Sequence, residues 1–473
     1  MNDIFIAKLN QIIQEFPKNV VWDEQYWNRI FQSCVEPYLK TLRDINRVIN
    51  LFQFRYGMLY QETAFEDMVG ITTIEVLEPE LYKWIGRNKE SVCGGVSHSM
   101  LAFSEKERNY REQYTKEFQG LGIEPEKAIK CISAMFPVFA KEVNGYYGEY
   151  HNSSDARSKM RVAHEERFEL YFSMNLDDVK VSRGIIDSFI FSMDDNALEY
   201  TVKKINMKGD IVYFLKELWA LVDSIPYDRL GKIAMVMIDL QGTFQDENGK
   251  YWFSLPAVEI AHYCIMDILK MLKTAEERNQ IICSAVDQLN MDGLGAIARI
   301  IRQIENGYGK FPERPEKQKD QIISSDQLHE LERLYLDKLQ EFSRSESFVD
   351  LSDFRYIVHL WELLDKESAQ NYVYSITKDD FHKLRYMCAM ASRWHGTNGS
   401  GWSFNALDYI SNDEIYELIR NYDKQKLDRF SDVEQIKLAS FFLTYQKDDD
   451  YLVNEQEARN LLNNGEVFNA YVN

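Results

Sequence analysis

The sequence predicts an all-α protein: a helical, lid-like N-terminal subdomain followed by helical-bundle or irregular helix-pair regions. Three observations carry that expectation. Only 9 Pro and 22 Gly punctuate 473 residues, and these are the residues that break regular elements. Apolar positions recur with the 3.6-residue period of a helix face, and no alternating stretch is long enough for a large sheet. The chain is 45% hydrophobic and 13% aromatic, enough to bury several cores. The expected divisions are a lid at 1–90, a linker with charged helices at 91–160 and a middle helical domain at 161–305. A second linker at 306–324 and a C-terminal helical domain at 325–473 complete the chain.

The elements follow in order. Asp23 to Cys34 puts Tyr26, Trp27, Ile30 and Phe31 on one face, and Pro37 interrupts it. Thr41 and Asp44 form an S/T-x-x-acid start for a helix that turns Ile45, Val48, Ile49 and Phe52 inward, with Gly57 as its weak point. Thr63-Ala64-Phe65-Glu66 predicts a second capping box, and Pro79 opens a short helix with Leu81, Trp84 and Ile85 apolar. Residues 90–99 (ESVCGGVSHS) read as a loop. A charged helix is expected from Ser104 to Gly120, a helix from Glu126 to about Lys141, and a polar excursion from Asn144 to Lys159.

Amphipathic helices are expected near 165–172, 183–193, 197–207, 211–224, 227–240, 256–271 and 275–290. The stretch Asn306 to Gln321 reads as a linker, and the region beyond it is again helical, with a Gly-rich loop at His395–Gly401.

Composition narrows the function. A net charge of −20 repels phosphate backbones, so broad nucleic-acid binding is not expected. The 6 Cys, at 34, 93, 131, 264, 283 and 388, form no C-x-x-C pair, which fits a reduced cytoplasmic chain. The start, Met1-Asn2-Asp3, lacks a basic n-region, and no segment approaches the roughly 20 apolar residues that span a bilayer.

One region resembles a known family. The run from Tyr38 to Asn50 (YLKTLRDINRVIN) holds a T-x-R-D-x-x-R pattern. Phe65-Glu66-Asp67 follows it, then Glu78-Pro79-Glu80-Leu81-Tyr82. In this order the residues resemble the end of the nucleotide-binding domain of KAP-family P-loop NTPases. Arg161 to Phe172 (RVAHEERFELYF) is similar to a segment of the helical region that follows in bacterial members. The resemblance covers about the first 90 residues well and the part from Arg161 more loosely.

The resemblance implies that the helix bearing Arg43 and Arg47 leans over a nucleotide, with Arg43 sensing the terminal phosphate. A guanidinium suits that task because it is planar, permanently charged and bidentate. It also implies a bacterial setting and a role in phage exclusion or other defence. The alternative is structural pairing of these arginines with Asp44, Glu36 or Asp67.

The family's phosphate-gripping elements should precede Thr41, where only forty residues lie. None of the Gly-Lys pairs, Gly231-Lys232, Gly249-Lys250 and Gly309-Lys310, is followed by Ser or Thr or completes G-x-x-x-x-G-K-[ST]. The chain alone is therefore expected to bind no cofactor and to catalyse nothing. ATP and Mg would enter with a protein partner, or with a missing N-terminal P-loop core. Self-association is a further expectation, and a free-standing helical scaffold is the alternative function.

Other motifs weigh less. Ile233 to Asp239 (IAMVMID) mimics a Walker B strand but fits a buried helix better. Gly396 to Gly401, flanked by Trp394, His395 and Trp402, has the look of a phosphate nest but no following Lys, so a Gly-rich turn is expected. His164 with Arg161 and Arg167 could take an anion, or simply start a helix. Cys93 and His98 lack an orienting acid. No His or Cys spacing indicates a metal site.

Overall fold

The computed structural model describes residues 1–16, 22–94, 110–144, 153–245, 255–310, 315–344, 347–351, 353–396, 399–404, 409–421, 424–447 and 452–463. The fold is all-α, and its two strands form a single hairpin among the described residues. The chain divides into two compact units, Met1–Ser188 and Phe189–Asn473. Among the described residues no helix is long and apolar enough to cross a membrane.

The first unit begins with helices α1 (Asn2–Glu15) and α2 (Glu24–Ile30), the latter capped by Asp23. A π-helix, Phe31–Val35, extends α2. Helix α3 (Leu42–Leu59) opens with the expected capping box: Thr41 accepts from the Asp44 amide, and the Asp44 side chain accepts in return. Its buried stripe is Ile45, Val48, Ile49 and Phe52, continuing through Arg55, Tyr56 and Leu59. Gly57 does not end the helix. The ring of Phe16 packs over it so closely that a Cβ there would lie 3.1 Å from Phe16 Cζ.

Helix α4 (Phe65–Leu77) is buried from Phe65 to Ile74 and forms the centre of this unit. Its cap differs from expectation. Ala64 is the N-cap, and the Thr63 hydroxyl instead donates to Leu59 O at 2.9 Å, closing the turn before the helix. Helix α5 (Pro79–Arg87) starts at its proline as expected. The expected loop after residue 90 contains a short helix, α6 (Lys89–Cys93), which ends where Gly94 takes a φ of 77°. Residues 95–99 of that loop lie outside the described residues.

Helix α7 is described as Tyr110–Gly120, and the expected start at Ser104 lies outside the described residues. The single helix expected to about Lys141 is two helices, α8 (Pro125–Met135) and α9 (Pro137–Asn144). Pro137 has no amide to continue α8, so the chain restarts there. Within the expected excursion, 145–152 lies outside the described residues and Ser153–Ser158 is helix α10. Helices α11 (Glu165–Phe168) and α12 (Leu170–Ser173) follow, and α13 spans Arg183–Phe191.

The second unit contains α14 (Asp195–Met207), α15 (Ile211–Ala220), α16 (Leu230–Leu240), α17 (Ala257–Met271), α18 (Ala275–Asp287) and α19 (Leu294–Gly307). Both α15 and α16 pack on α17, burying its Ile260, Cys264, Ile265 and Ile268. Within 306–321, Asn306 and Gly307 end α19, Asp320 is buried in a 3-10 turn, and 311–314 lies outside the described residues. Helices α20 (Ser325–Ser343), α21 (Phe354–Leu364), α22 (Lys366–Ile376) and α23 (Asp380–Met390) continue the unit.

The expected Gly-rich loop forms part of a hairpin, β1 (Ala391–Gly396) with β2 (Gly399–Phe404). Trp394 pairs with Gly401 across it. Strand β2 rests on α26 (Asp432–Gln446) and α27 (Glu455–Asn463). Between them run α24 (Asn412–Arg420) and α25 (Lys424–Leu427).

Candidate functional site

The arginine pair singled out by sequence lies on α3. Since Ile45, Val48 and Ile49 face the core, Arg43 and Arg47 face outward and both are exposed. Arg47 donates through Nη2 to the carbonyl of Val76 at 3.2 Å, where α4 ends. Arg43 makes no ion pair among the described residues.

The three acids that could have neutralised these arginines are engaged elsewhere. Asp44 accepts from the amides of Thr41 at 2.9 Å and Lys40 at 3.2 Å. Its hydrogen bond with the Thr41 side chain chiefly holds its carboxyl below the usual range, and the Arg47 charge adds the smallest part. Glu36 accepts from Asn2 Nδ2 at 2.7 Å. Asp67 is buried on α4. Among the described residues, the structure thus leaves two guanidiniums on one face with no carboxylate seated on them.

The second basic group, Arg161, His164 and Arg167, behaves oppositely. Arg161 is buried and pairs with Glu66 at 3.1 Å and with Asp23 at 3.5 Å. Its guanidinium lies 3.5 Å from the centroid of the Tyr26 ring. The Tyr26 hydroxyl donates to Asp67, whose other oxygen accepts from the Val162 amide at 2.8 Å. Burial pushes the Asp67 carboxyl up to about 6, against the opposing pull of Arg161 and its hydrogen bonds.

Arg167 pairs with Glu62 at 2.7 Å, and the second Glu62 oxygen accepts from the Arg183 amide at 2.8 Å. His164 caps α11, its Nδ1 accepting from the Glu166 amide at 3.3 Å. Arg161 and Arg167 neutralise the buried Glu66 of α4, the buried Glu62 in the turn before it and the half-buried Asp23 that caps α2. They fasten residues 157–183 to the start of the chain and are not an anion site. The backbone at Met160 supports the same crossing: φ is 55°, and its carbonyl accepts from the Tyr171 hydroxyl at 2.7 Å and the Ala64 amide at 3.2 Å.

Sequence reasoning missed the acidic side of this crossing. Glu62 lies in the turn before α4, and Glu66 and Asp67 stand at i+4 and i+5 from it, in the first turn of a helix that is largely apolar. Carboxylates embedded in an apolar stripe were the available signal, since burial requires a partner for each. It also missed the pairing of the buried Arg55 with the half-buried Glu75 at 2.7 Å, with Arg55 donating to Tyr82 Oη at 2.9 Å.

The remaining motifs resolve locally. Gly231-Lys232 and the IAMVMID run lie within α16, where Ile233, Ala234, Met237 and Ile238 are buried. Lys310 pairs with Glu332 at 2.6 Å, and Gly249-Lys250 lies outside the described residues. At the hairpin, Lys437 sits 4.5 Å from the Trp402 ring centroid and donates to Cys388 O at 3.0 Å. Residues 397–398 and the side chain of His395 lie outside the described residues.

Burial pushes the Cys93 thiol up to about 12, which makes it a poor nucleophile, and its partner His98 lies outside the described residues. Among the described residues no three His, Cys, Asp or Glu side chains gather as a metal site. Comparison with protein-family models, with curated proteins and with solved structures finds no match to this chain.

Proposed function

We propose that this chain is the lid and downstream helical region of a KAP-type P-loop NTPase, working against a nucleotide-binding core supplied elsewhere. The observation that carries the reading is the pair of exposed guanidiniums, Arg43 and Arg47, held one turn apart on α3 with Asp44, Glu36 and Asp67 engaged elsewhere. Like charges at that spacing repel mildly, and an anion placed opposite them removes the cost. ATP and Mg would be held by the core's own phosphate loop, and Arg43 would reach the terminal phosphate. The position of α3 would then differ between nucleotide states, and the helices behind it would pass that difference on. The resemblance extends the proposal to a bacterial cytoplasm and to phage exclusion or related defence.

The test mixes the full chain with a KAP-type P-loop domain carrying its own Walker A motif. Association is measured with ATP–Mg, with ADP–Mg and without nucleotide. The reading expects ATP-dependent association that Arg43→Ala abolishes while the fold is unchanged. Association indifferent to nucleotide and to Arg43→Ala would leave a free-standing helical scaffold as the better account.

A further inference from the structure

A cleft of about 530 Å³ opens on the first unit, and no residue of α3 lines it. One wall is the end of α2 and the π-helix that extends it, contributing Arg29, Ser33 and Pro37. The opposite wall is α8, and Arg111 of α7 stands at the side. A π-helix is rare and energetically poor, and such segments concentrate at functional sites. The volume lies in the range that takes a small organic ligand.

The charge of this cleft runs against that of the molecule. In a chain of net charge −20, four cations line it, Arg29, Arg111, Lys127 and Lys130, against the single carboxylate of Glu126. Arg111 pairs with Glu126 at 2.6 Å and Lys127 with Glu124 at 2.6 Å, all four side chains being substantially exposed. Exposed pairs of this kind are weak and exchange partners readily. Lys130 is exposed on α8 and pairs with no acid among the described residues. The floor is apolar, formed by Pro37, Ile129 and Ala134. The Ser133 hydroxyl is buried at the same wall without a hydrogen-bond partner.

A cationic rim over an apolar floor selects a ligand with a doubly charged head and a compact apolar body. We propose that this cleft binds a small phosphate monoester, its phosphate met by Lys130, Lys127 and Arg29 and its body laid on Ile129 and Pro37. Rotation of Ser133 about its Cα–Cβ bond turns its hydroxyl towards the head group. The inference is independent of the lid reading, which concerns the outward face of α3.

The experiment titrates the full chain with phenyl phosphate, following chemical shifts or heat, beside inorganic phosphate and neutral phenol. Expected is saturable binding of phenyl phosphate, with phenol at least about tenfold weaker. Lys130→Glu should weaken phenyl phosphate by about tenfold or more with an unchanged melting temperature, and Ser133→Ala by a smaller factor. Equal affinity in wild type and Lys130→Glu would overturn the proposal, as would no saturation with any of the three probes. Binding confined to a phosphorylated peptide would overturn the small-molecule class in favour of a peptide. ATP bound by the chain alone separates the two readings. ATP lost with Lys130→Glu belongs to this cleft, whereas ATP retained in that variant counts against the lid reading alone.

Discussion

The guanidinium of Arg161 lies on the face of the Tyr26 ring, 3.5 Å from its centroid, while the Tyr26 hydroxyl donates to Asp67. Arg161 thus serves three acids at once, Asp23, Glu66 and Asp67. The two α4 acids, Glu66 and Asp67, lie within a buried helix, where a carboxylate without its partner is costly.

Arg161→Ala is therefore expected to destabilise the first unit by about 3–5 kcal/mol, because it strands buried carboxylates. Arg43→Ala and Arg47→Ala should each change stability by less than about 0.5 kcal/mol, since both are exposed. Urea unfolding of the three variants checks the contrast. Equal effects would mean that Arg161 does not hold the buried carboxylates in place.

His262 supplies a pH dependence in the second unit. It is buried, its Nε2 lies 2.6 Å from Gln303 Oε1, and burial, with the charge of Arg299 adding, pushes it down to about 4. The unfolded chain takes up this proton near 6.5 and the folded one only near 4. Protonation thus favours unfolding, and stability is lost as pH falls from about 6.5 towards 4, by up to about 3 kcal/mol. His262→Gln removes this component. Unfolding at pH 7 and pH 4.5 should show the wild type losing more than the variant, and parallel losses would contradict the assignment.

Gly295, in the first turn of α19, faces Asp353, which holds Arg299 through two hydrogen bonds of 2.9 and 2.5 Å and accepts from Gln241 at 3.1 Å. A Cβ at Gly295 would lie 2.3 Å from the Asp353 Cβ. Gly295→Ala should cost at least about 2 kcal/mol by overpacking. Gly120, at the exposed end of α7, has nothing within 4 Å of such a Cβ. Gly120→Ala should stabilise by roughly 0.5–1 kcal/mol. Thermal melts of the two variants should move in opposite directions.

Much of the helical order was legible because it is local. The capping pair Thr41 and Asp44, the N-terminal Pro79 and the apolar stripe Ile45–Val48–Ile49–Phe52 act within one or two turns. Pro137 is equally visible in the sequence, and a proline inside a helical pattern restarts the chain. Thr63 shows the limit of a cap motif: the carbonyl of Leu59 competes for the same hydroxyl and wins. The partners of Arg161 and Arg167 lie 95 to 138 residues away along the chain, and no periodicity encodes such a distance. The outward direction of Arg43 and Arg47 followed from the opposite face of their helix. The cleft beside the π-helix did not, because it depends on how three helices meet.

The buried acids at 62, 66 and 67, and the half-buried Asp23, are made before the arginines at 161 and 167 that neutralise them. On the ribosome, a nascent chain of 150 residues would hold these carboxylates with nothing to desolvate against. It cannot close its core, and stays open to proteases or a chaperone until the later segment emerges. The first unit therefore completes its folding only after about 190 residues are out, rather than helix by helix as synthesis proceeds.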